Sequence, residues 1–401
     1  MHTLKGLPVD ESTPHKGSAA AEPADDQSLL PSWFRDFMFP RPDAAETTAQ
    51  AREREWTQAR FWGFSSFLFP AVIMIVLSTR NDVVEVVYEE ESCDWANLIE
   101  KTMFYIGAWI LKDIVLNCFK WWWCTRYWGL SQEHFDLLIG PRHEWTDKEV
   151  DTLVQAYGKW NLKAMDAINR RAGHVVINII RIWFFTRVLT NYSIRLHSAL
   201  LQLPIINGIK ILTESGDRCW DVGKYIFQGA RLFDGRYGRF NLVVVNFWAY
   251  AGRVVMFELL VGAKGMGDEK EGLLFMLAMQ PLLWGDSAGE LIGSFWGKHR
   301  FKVIGLGDVN QKSVEGTVAV FVASFLGMLG VFYGMYGEAV SSVFVCHPVL
   351  VMAYTCVVAT IAEVAAPRGT DNFFLQVLSL LVLIASIQNS PSIRRAARAD
   401  D

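Results

Sequence analysis

From Val314 to Tyr336 the chain carries one charged residue, Glu315 near the start, and from 373 to 387 it carries none. A helix needs roughly 20 apolar residues to cross a bilayer core, and it satisfies its own backbone N–H and C=O groups without water. Further apolar runs lie at 61–78, 102–119, 173–190, 196–212, 240–262, 271–284 and 338–362. The run at 102–119 is interrupted by Lys112 and Asp113. Several others hold an internal Gly or Pro, which membrane helices tolerate when neighbours satisfy the freed backbone. The pattern predicts an all-α fold, a polytopic transmembrane helical bundle of about eight or nine spans. The alternative, a large soluble core, fits poorly. Charge falls to 20%, below the usual value of about 25%, and the length of the uncharged runs favours a membrane.

The polar segments set the domain order. Residues 1–60 are expected to form a disordered cytosolic tail, because 1–30 lack the apolar stretch of a signal peptide and carry Asp10, Glu11, Glu22, Asp25 and Asp26. An aromatic patch at 31–40 is of a kind that rests on a membrane surface or packs on its own protein. Residues 61–128 read as N-terminal spans. They close on Lys120-Trp-Trp-Trp-Cys-Thr-Arg-Tyr-Trp128, an interfacial belt. Residues 129–169 read as a polar helical insert, with Thr146 and Glu149 spaced as a capping box. A membrane domain follows at 170–390, and a polar tail at 391–401. Six cysteines show neither CxxC pairing nor zinc spacing, so neither a disulfide framework nor a thiolate metal site is expected. A net charge of −4 argues against a nucleic-acid partner.

Four constellations carry chemistry. The first is Asn169-Arg-Arg-Ala-Gly-His174, leading into an apolar helix. Arg170, His174, Asn178 and Arg181 fall on one stripe, with Arg171 beside it. Burying such groups in lipid is expensive, so they should face a protein interior or a wet cavity; a row of cations there suits a nucleotide phosphate. Interfacial snorkelling of the arginines is the plainer alternative. The second is a loop at 203–217, with turn pairs at Asn207-Gly208 and Ser215-Gly216 before Asp217. On its own it says only that the chain turns.

The third constellation is the richest. Trp284-Gly-Asp-Ser-Ala-Gly-Glu-Leu-Ile-Gly-Ser-Phe-Trp-Gly-Lys298 runs on to Gly305-Leu-Gly-Asp-Val-Asn-Gln-Lys-Ser-Val-Glu-Gly316. Asp286 is placed to cap a helix, and Glu290, four residues on, shares its face. Paired carboxylates beside a phosphate chain suit Mg²⁺, a hard cation whose shell water and phosphate complete. Gly285, Gly289, Gly293 and Gly297 recur every fourth residue, a spacing that admits either a neighbouring backbone or a flat ligand. Lys298 and Lys312 supply charge for phosphate oxygens, and Gly316 opens a helix whose amides form an anion site. Walker A spacing is absent. The fourth is Glu363, followed by Pro367-Arg-Gly-Thr-Asp-Asn372, where Thr370 or Asp371 is placed to cap the last apolar helix.

The third block resembles the signature of the polyprenol kinase family: phytol, farnesol and dolichol kinases and the CTP-dependent diacylglycerol kinase, which share a core with phosphatidate cytidylyltransferases. The family's Gly-Asp-x-x-Ala-x-x-x-Gly-x-x-x-Gly-Lys pattern is similar to 285–298, and its Lys-Ser-x-Glu-Gly-Thr pattern to 312–317. The Arg-Lys-x-x-His motif is matched at 170–174, with Arg171 in place of Lys. The Pro-x-x-Asn-Gly loop is matched at 204–208, Ser-Gly-Asp at 215–217, and the closing Glu and Asp-Asn at Glu363, Asp371 and Asn372. An insert at 229–240 is extra. The resemblance covers about 169–390 and makes 170–390 the kinase-like domain.

The resemblance implies an all-helical membrane lipid kinase. It would move the γ-phosphoryl group of a nucleoside triphosphate, CTP above ATP, to the hydroxyl of a prenol, dolichol or diacylglycerol. His174, Asp286, Lys312 and Glu363 would be catalytic, with His174 or Glu363 accepting the hydroxyl proton. Arg170, Arg171, Asn207, Gly285, Lys298, Ser313 and Gly316 would line the nucleotide. Asp286, with Glu290 or Asp308, would hold Mg²⁺; Asp217, Glu315, Asp371 and Asn372 complete the motifs. The alternatives are CDP-lipid synthesis, whose own signature is absent, and a transporter or silent scaffold. The acidic N-terminus favours the endoplasmic reticulum over a plastid membrane.

Overall fold

The computed structural model describes residues 48–78, 95–139, 147–189, 192–215, 241–262, 268–303, 311–336, 343–367 and 369–387. The tail up to residue 47 with its aromatic patch, Thr146, Asp217, the insert at 229–240, Asp308 and the C-terminal tail at 391–401 lie outside the described residues.

The first helix, α1 (Thr48–Ser78), begins well before the apolar run at 61. Its opening, rich in Ala, Gln, Arg and Glu, is made of strong helix formers, so the helix extends past its apolar part. Helix α2 (Trp95–Trp122) continues through a π-turn (Trp123–Tyr127), which carries the Trp belt. The polar insert forms α3 (Gln132–Ile139) and α4 (Asp147–Tyr157). These pack with Cys124 of the π-turn around a small core that includes Leu130, Phe135, Leu153, Leu162 and Met165. Helix α5 (Lys159–Trp183) then runs unbroken across the boundary expected at 169–170.

Helix α6 (Tyr192–Ser215) corrects a reading of the sequence. Pro204 and the Asn207-Gly208 pair, expected in a loop, lie inside one continuous helix. The physical reason is burial. Leu203, Ile206 and Asn207 are fully enclosed by α1, α2 and α7 (Asn241–Gly262), so packing overrides turn preferences of about 1 kcal/mol for Gly and 3 for Pro. Next comes α8 (Asp268–Ala278), joined through a π-turn (Pro281–Gly285) to α9 (Asp286–Trp296). From Leu273 to Leu283 this stretch is buried on every side, the pattern of a helix at the centre of a bundle. An antiparallel hairpin, β1 (Arg300–Lys302) against β2 (Gln311–Ser313), leads into α10 (Val314–Val331), which ends in a further π-turn (Phe332–Tyr336). Two antiparallel neighbours, α11 (Pro348–Ala365) and α12 (Asp371–Ala385), complete the described chain.

The protein is an all-α membrane helical protein. Among the described residues five helical stretches are long and apolar enough to cross a membrane: Trp56–Val76, Ala96–Tyr127, Val243–Leu260, Val314–Tyr336 and Pro348–Ala365; Asp371–Ala385 is shorter. The remaining expected runs are helices of another kind. The run at 173–190 carries Arg181 and Arg187, the one at 196–212 buries polar groups such as His197, Gln202 and Asn207, and the one at 271–284 forms the central helix. Outward faces are greasy: Phe64, Phe67 and Ile75 on α1, Val318, Val322 and Leu326 on α10, and Leu350, Val357 and Ile361 on α11 are all exposed. Rows of exposed large apolar residues suit acyl chains, not water.

Candidate active site

Three features of local sequence position the site. Gly158, with φ at +78°, is the N-cap of α5 and lets the chain turn from α4. Ser313 caps α10, its Oγ accepting from Gly316 N at 3.1 Å. The glycines at every fourth position of α9 face α10: a Cβ on Gly285 or Gly289 would collide with Ser324 or Val320, and one on Gly293 would meet Ser313 Oγ at 3.0 Å. The space beside this ladder is therefore filled by the neighbouring helix, as in small-residue packing seams. Gly316 belongs to the same seam, 2.7 Å from Gly289 O on the same test, and its amide is already engaged by Ser313.

That close seam leaves the next face of α9 for chemistry. Asp286 is the first residue of α9, not its cap; Gly285 holds the cap position without a side-chain bond. The Asp286 carboxylate instead receives Arg171 Nη1 of α5 at 2.6 Å, and Arg171 Nη2 pairs with Glu290. All three side chains are largely buried, at 10%, 15% and 9% exposure for Arg171, Asp286 and Glu290. One planar fork thus spans two carboxylates a turn apart. His174, one turn along α5, puts Nε2 3.0 Å from Leu282 O and 3.4 Å from Asp286 Oδ2. A carbonyl only accepts, so in the neutral ring Nε2 carries the proton and Nδ1 the lone pair.

A second ion pair stands beside the first. Lys312 of β2 bonds Glu363 Oε1 of α11 at 2.7 Å, also reaches the Glu363 carbonyl, and lies 4.0 Å from Asp371 Oδ2 of α12. Burial disfavours the Lys312 ammonium, but Glu363, Asp371 and, more weakly, Asp286 outweigh it and hold its pKa above the usual lysine value. Asp286 of the first pair is thus close enough to act on Lys312, so the two pairs are neighbours. Together, their four carboxyl groups outnumber their two basic side chains.

Other sequence-derived candidates are placed elsewhere. Asn207 is buried and donates to Ser66 Oγ of α1 at 2.8 Å, tying two helices together. Lys298 is exposed on the loop after α9. Glu315 holds His299, with Oε1 2.7 Å from Nδ1, and steadies the hairpin. Asn372 N donates to Asp371 Oδ1 at 3.0 Å, and Thr370 takes the cap position of α12 while its hydroxyl goes to Pro367 O. Arg170 lies on α5, its side chain outside the described part. The stripe on α5 is split: Arg171 and His174 join the cluster, whereas Arg181 turns to Tyr105 of α2 and Tyr250 of α7, with Asn178 accepting from it.

Sequence reasoning missed one group. Arg253, in mid-span on α7, is fully buried beside Tyr250. A charge in the middle of the 240–262 run was the available signal.

The cluster sits towards the aromatic belt. Leu116, near the belt on α2, packs 3.4 Å from where a Gly173 Cβ would stand, and Trp160, at the start of α5, meets Phe295 edge to face at 4.7 Å near the end of α9.

A phytol kinase of Synechocystis sp. is 33% identical to this chain over 131 residues, 32% of the chain. The chain spans about half of that relative's length, 52%. No family model matches the chain, and no solved structure matches it.

Proposed function

We propose that this protein is a membrane lipid-alcohol kinase that transfers the γ-phosphoryl group of CTP to the hydroxyl of a prenol-type, dolichol-type or diacylglycerol acceptor. The observation that carries the reading is the buried cluster of Arg171, Asp286, Glu290, Lys312, Glu363 and Asp371, drawn from five elements to the belt end of an apolar bundle. Phosphoryl transfer asks chiefly for charge and alignment, and the cluster offers both. The similarity to a phytol kinase supports the same class of acceptor.

The cluster's surplus of carboxyl groups suits a divalent cation. Among the described residues no three His, Cys, Asp or Glu side chains converge on a metal point, but Mg²⁺ bound to a nucleotide needs only one or two carboxylates. Asp286 and Glu290 would hold it, with Asp308 a further candidate, and the ion would neutralise charge on the phosphate oxygens. Arg171 and Lys312 would turn from their carboxylates towards phosphate oxygens when nucleotide enters, with Arg170 and Lys298 at the rim. His174 Nδ1 has the lone pair to accept the hydroxyl proton, and Glu363 is the second candidate. The greasy outer faces let a lipid alcohol approach from the side. By composition of the tail we assign the protein to the endoplasmic reticulum.

The test is an assay of purified protein with Mg²⁺, labelled CTP or ATP and a panel of phytol, farnesol, dolichol and diacylglycerol. A kinase gives a phosphorylated lipid and CDP. Pyrophosphate release would instead indicate a cytidylyltransferase, and no product from any alcohol would reject the kinase reading.

A further inference from the structure

Ten residues beyond Arg171 on α5, about 15 Å along the axis, lies a second buried polar cluster, without an ion pair among the described residues. Arg181 and Arg253 address the same ring: their guanidinium carbons lie 6.0 and 3.5 Å from the centre of Tyr250. Arg181 donates from Nε to Tyr105 Oη at 3.4 Å and from Nη1 to Asn178 Oδ1. Arg253 donates from Nε to Ala249 O at 3.2 Å, whereas both its terminal nitrogens are buried and have only the Tyr250 side chain beside them, without a well-directed acceptor. The Asn178 amide nitrogen is likewise buried without an acceptor. Among the described residues neither arginine has a carboxylate partner.

This arrangement is incomplete as it stands. Arg253 is 0% exposed near the middle of the span Val243–Leu260, one of the most expensive placements for a cation. Two like charges beside one ring repel, and contact with the Tyr250 face offsets only part of that. The missing piece is an anion with several acceptor oxygens. A phosphate monoester carries about −1.5 to −2 charges at neutral pH, matching two guanidiniums, whose planar forks fit its oxygens. The surroundings also suit a phosphate borne on a hydrocarbon chain. Tyr105 packs on Phe184 at 4.8 Å, and Phe185 continues the wall to Phe257 at 5.0 Å.

We propose that Arg181, Arg253, Asn178, Tyr105 and Tyr250 form an oxyanion site within the bundle that takes a phosphate-class group, separate from the Arg171–Asp286 cluster. The test titrates detergent-purified protein with decyl phosphate, inorganic phosphate and decanol, read by thermal unfolding and phosphorus NMR line broadening. Decyl phosphate should raise the unfolding midpoint saturably and decanol should not. Arg253→Gln should weaken the apparent affinity about tenfold or more, while Lys312→Met retains it. An equal response to inorganic phosphate assigns a free-phosphate source; a response to decyl phosphate alone assigns a lipid headgroup. Where Arg253→Gln fails to fold, Arg181→Gln carries the same expectation. No saturable response to either phosphate overturns the proposal, as does a response lost in Lys312→Met but kept in the arginine variants. No turnover enters these readings, so they stand or fall apart from the kinase reading.

Discussion

Replacing Arg171 with methionine should destabilise the protein by more than the loss of one surface charge. The side chain is 10% exposed and divides its fork between Asp286 and Glu290. Methionine keeps the apolar stem contacts and removes the head, leaving two carboxylates one turn apart in a largely buried site. Removing one partner of a buried pair costs about 3–5 kcal/mol, mostly through the charges left behind. At about 2–4 °C per kcal/mol for a large domain, the midpoint should fall by about 6–20 °C. Thermal unfolding in one fixed detergent, followed through the 16 tryptophans, measures this. Asp286→Asn with Glu290→Gln should also lower the midpoint, since Arg171 is then the orphan. The triple variant, with every charge removed, should recover most of either loss. An Arg171→Met midpoint within a degree or two of wild type would refute the reasoning. So would a triple variant whose loss is the sum of the other two, because the side chains would then not be acting as a unit.

Further outcomes follow from the same geometry. Because Lys312 has its pKa raised in the folded state, its contribution is complete below the unfolded lysine value of about 10.4 and is lost only as pH climbs through the higher folded value; the stability gap between wild type and Lys312→Met should not narrow from about pH 6 to 9, and a gap closing within that window would contradict the ion pairing. Gly289→Ala should cost about 1–3 kcal/mol by pressing a methyl on Val320 of α10. Gly208→Ala, with nothing within 4 Å, should be neutral or gain up to about 1 kcal/mol, and comparison of the two midpoints checks the seam. Asn207→Ala and Ser66→Ala should each cost about 1–3 kcal/mol and combine less than additively; full additivity would show that the bond does not tie α1 to α6. In the kinase assay, Asp286→Asn should reduce turnover by at least about 100-fold, and retained turnover would remove Asp286 from the site.

Much of the scaffold was legible in the residues. The runs at 314–336, with one charge near its start, and 373–387, with none, announced buried or lipid-facing helices because helix period and bilayer thickness are local constraints. The clustering of acids and bases at run ends announced where polar side chains would gather, because such groups are too costly in hydrocarbon. Turn chemistry misled at Pro204 and Asn207-Gly208, where local preference is about 1–3 kcal/mol and burial against three neighbours outweighs it. The four-residue glycine period left open a neighbouring backbone or a flat ligand, and packing put α10 there.

By itself, then, the sequence determined that this chain is a membrane helical protein, which faces are apolar and which residues are too polar to be left in lipid. Tertiary structure decided the partners. Arg171 meets Asp286 across 115 residues of chain and Lys312 meets Glu363 across 51, and no helical period reaches that far. It also divided the cations of α5: Arg171 stands among acids, whereas Arg181 stands beside Tyr105 and Tyr250 with no carboxylate partner among the described residues. Periodicity fixes the direction in which a side chain leaves its own helix; only packing decides which charge stands opposite.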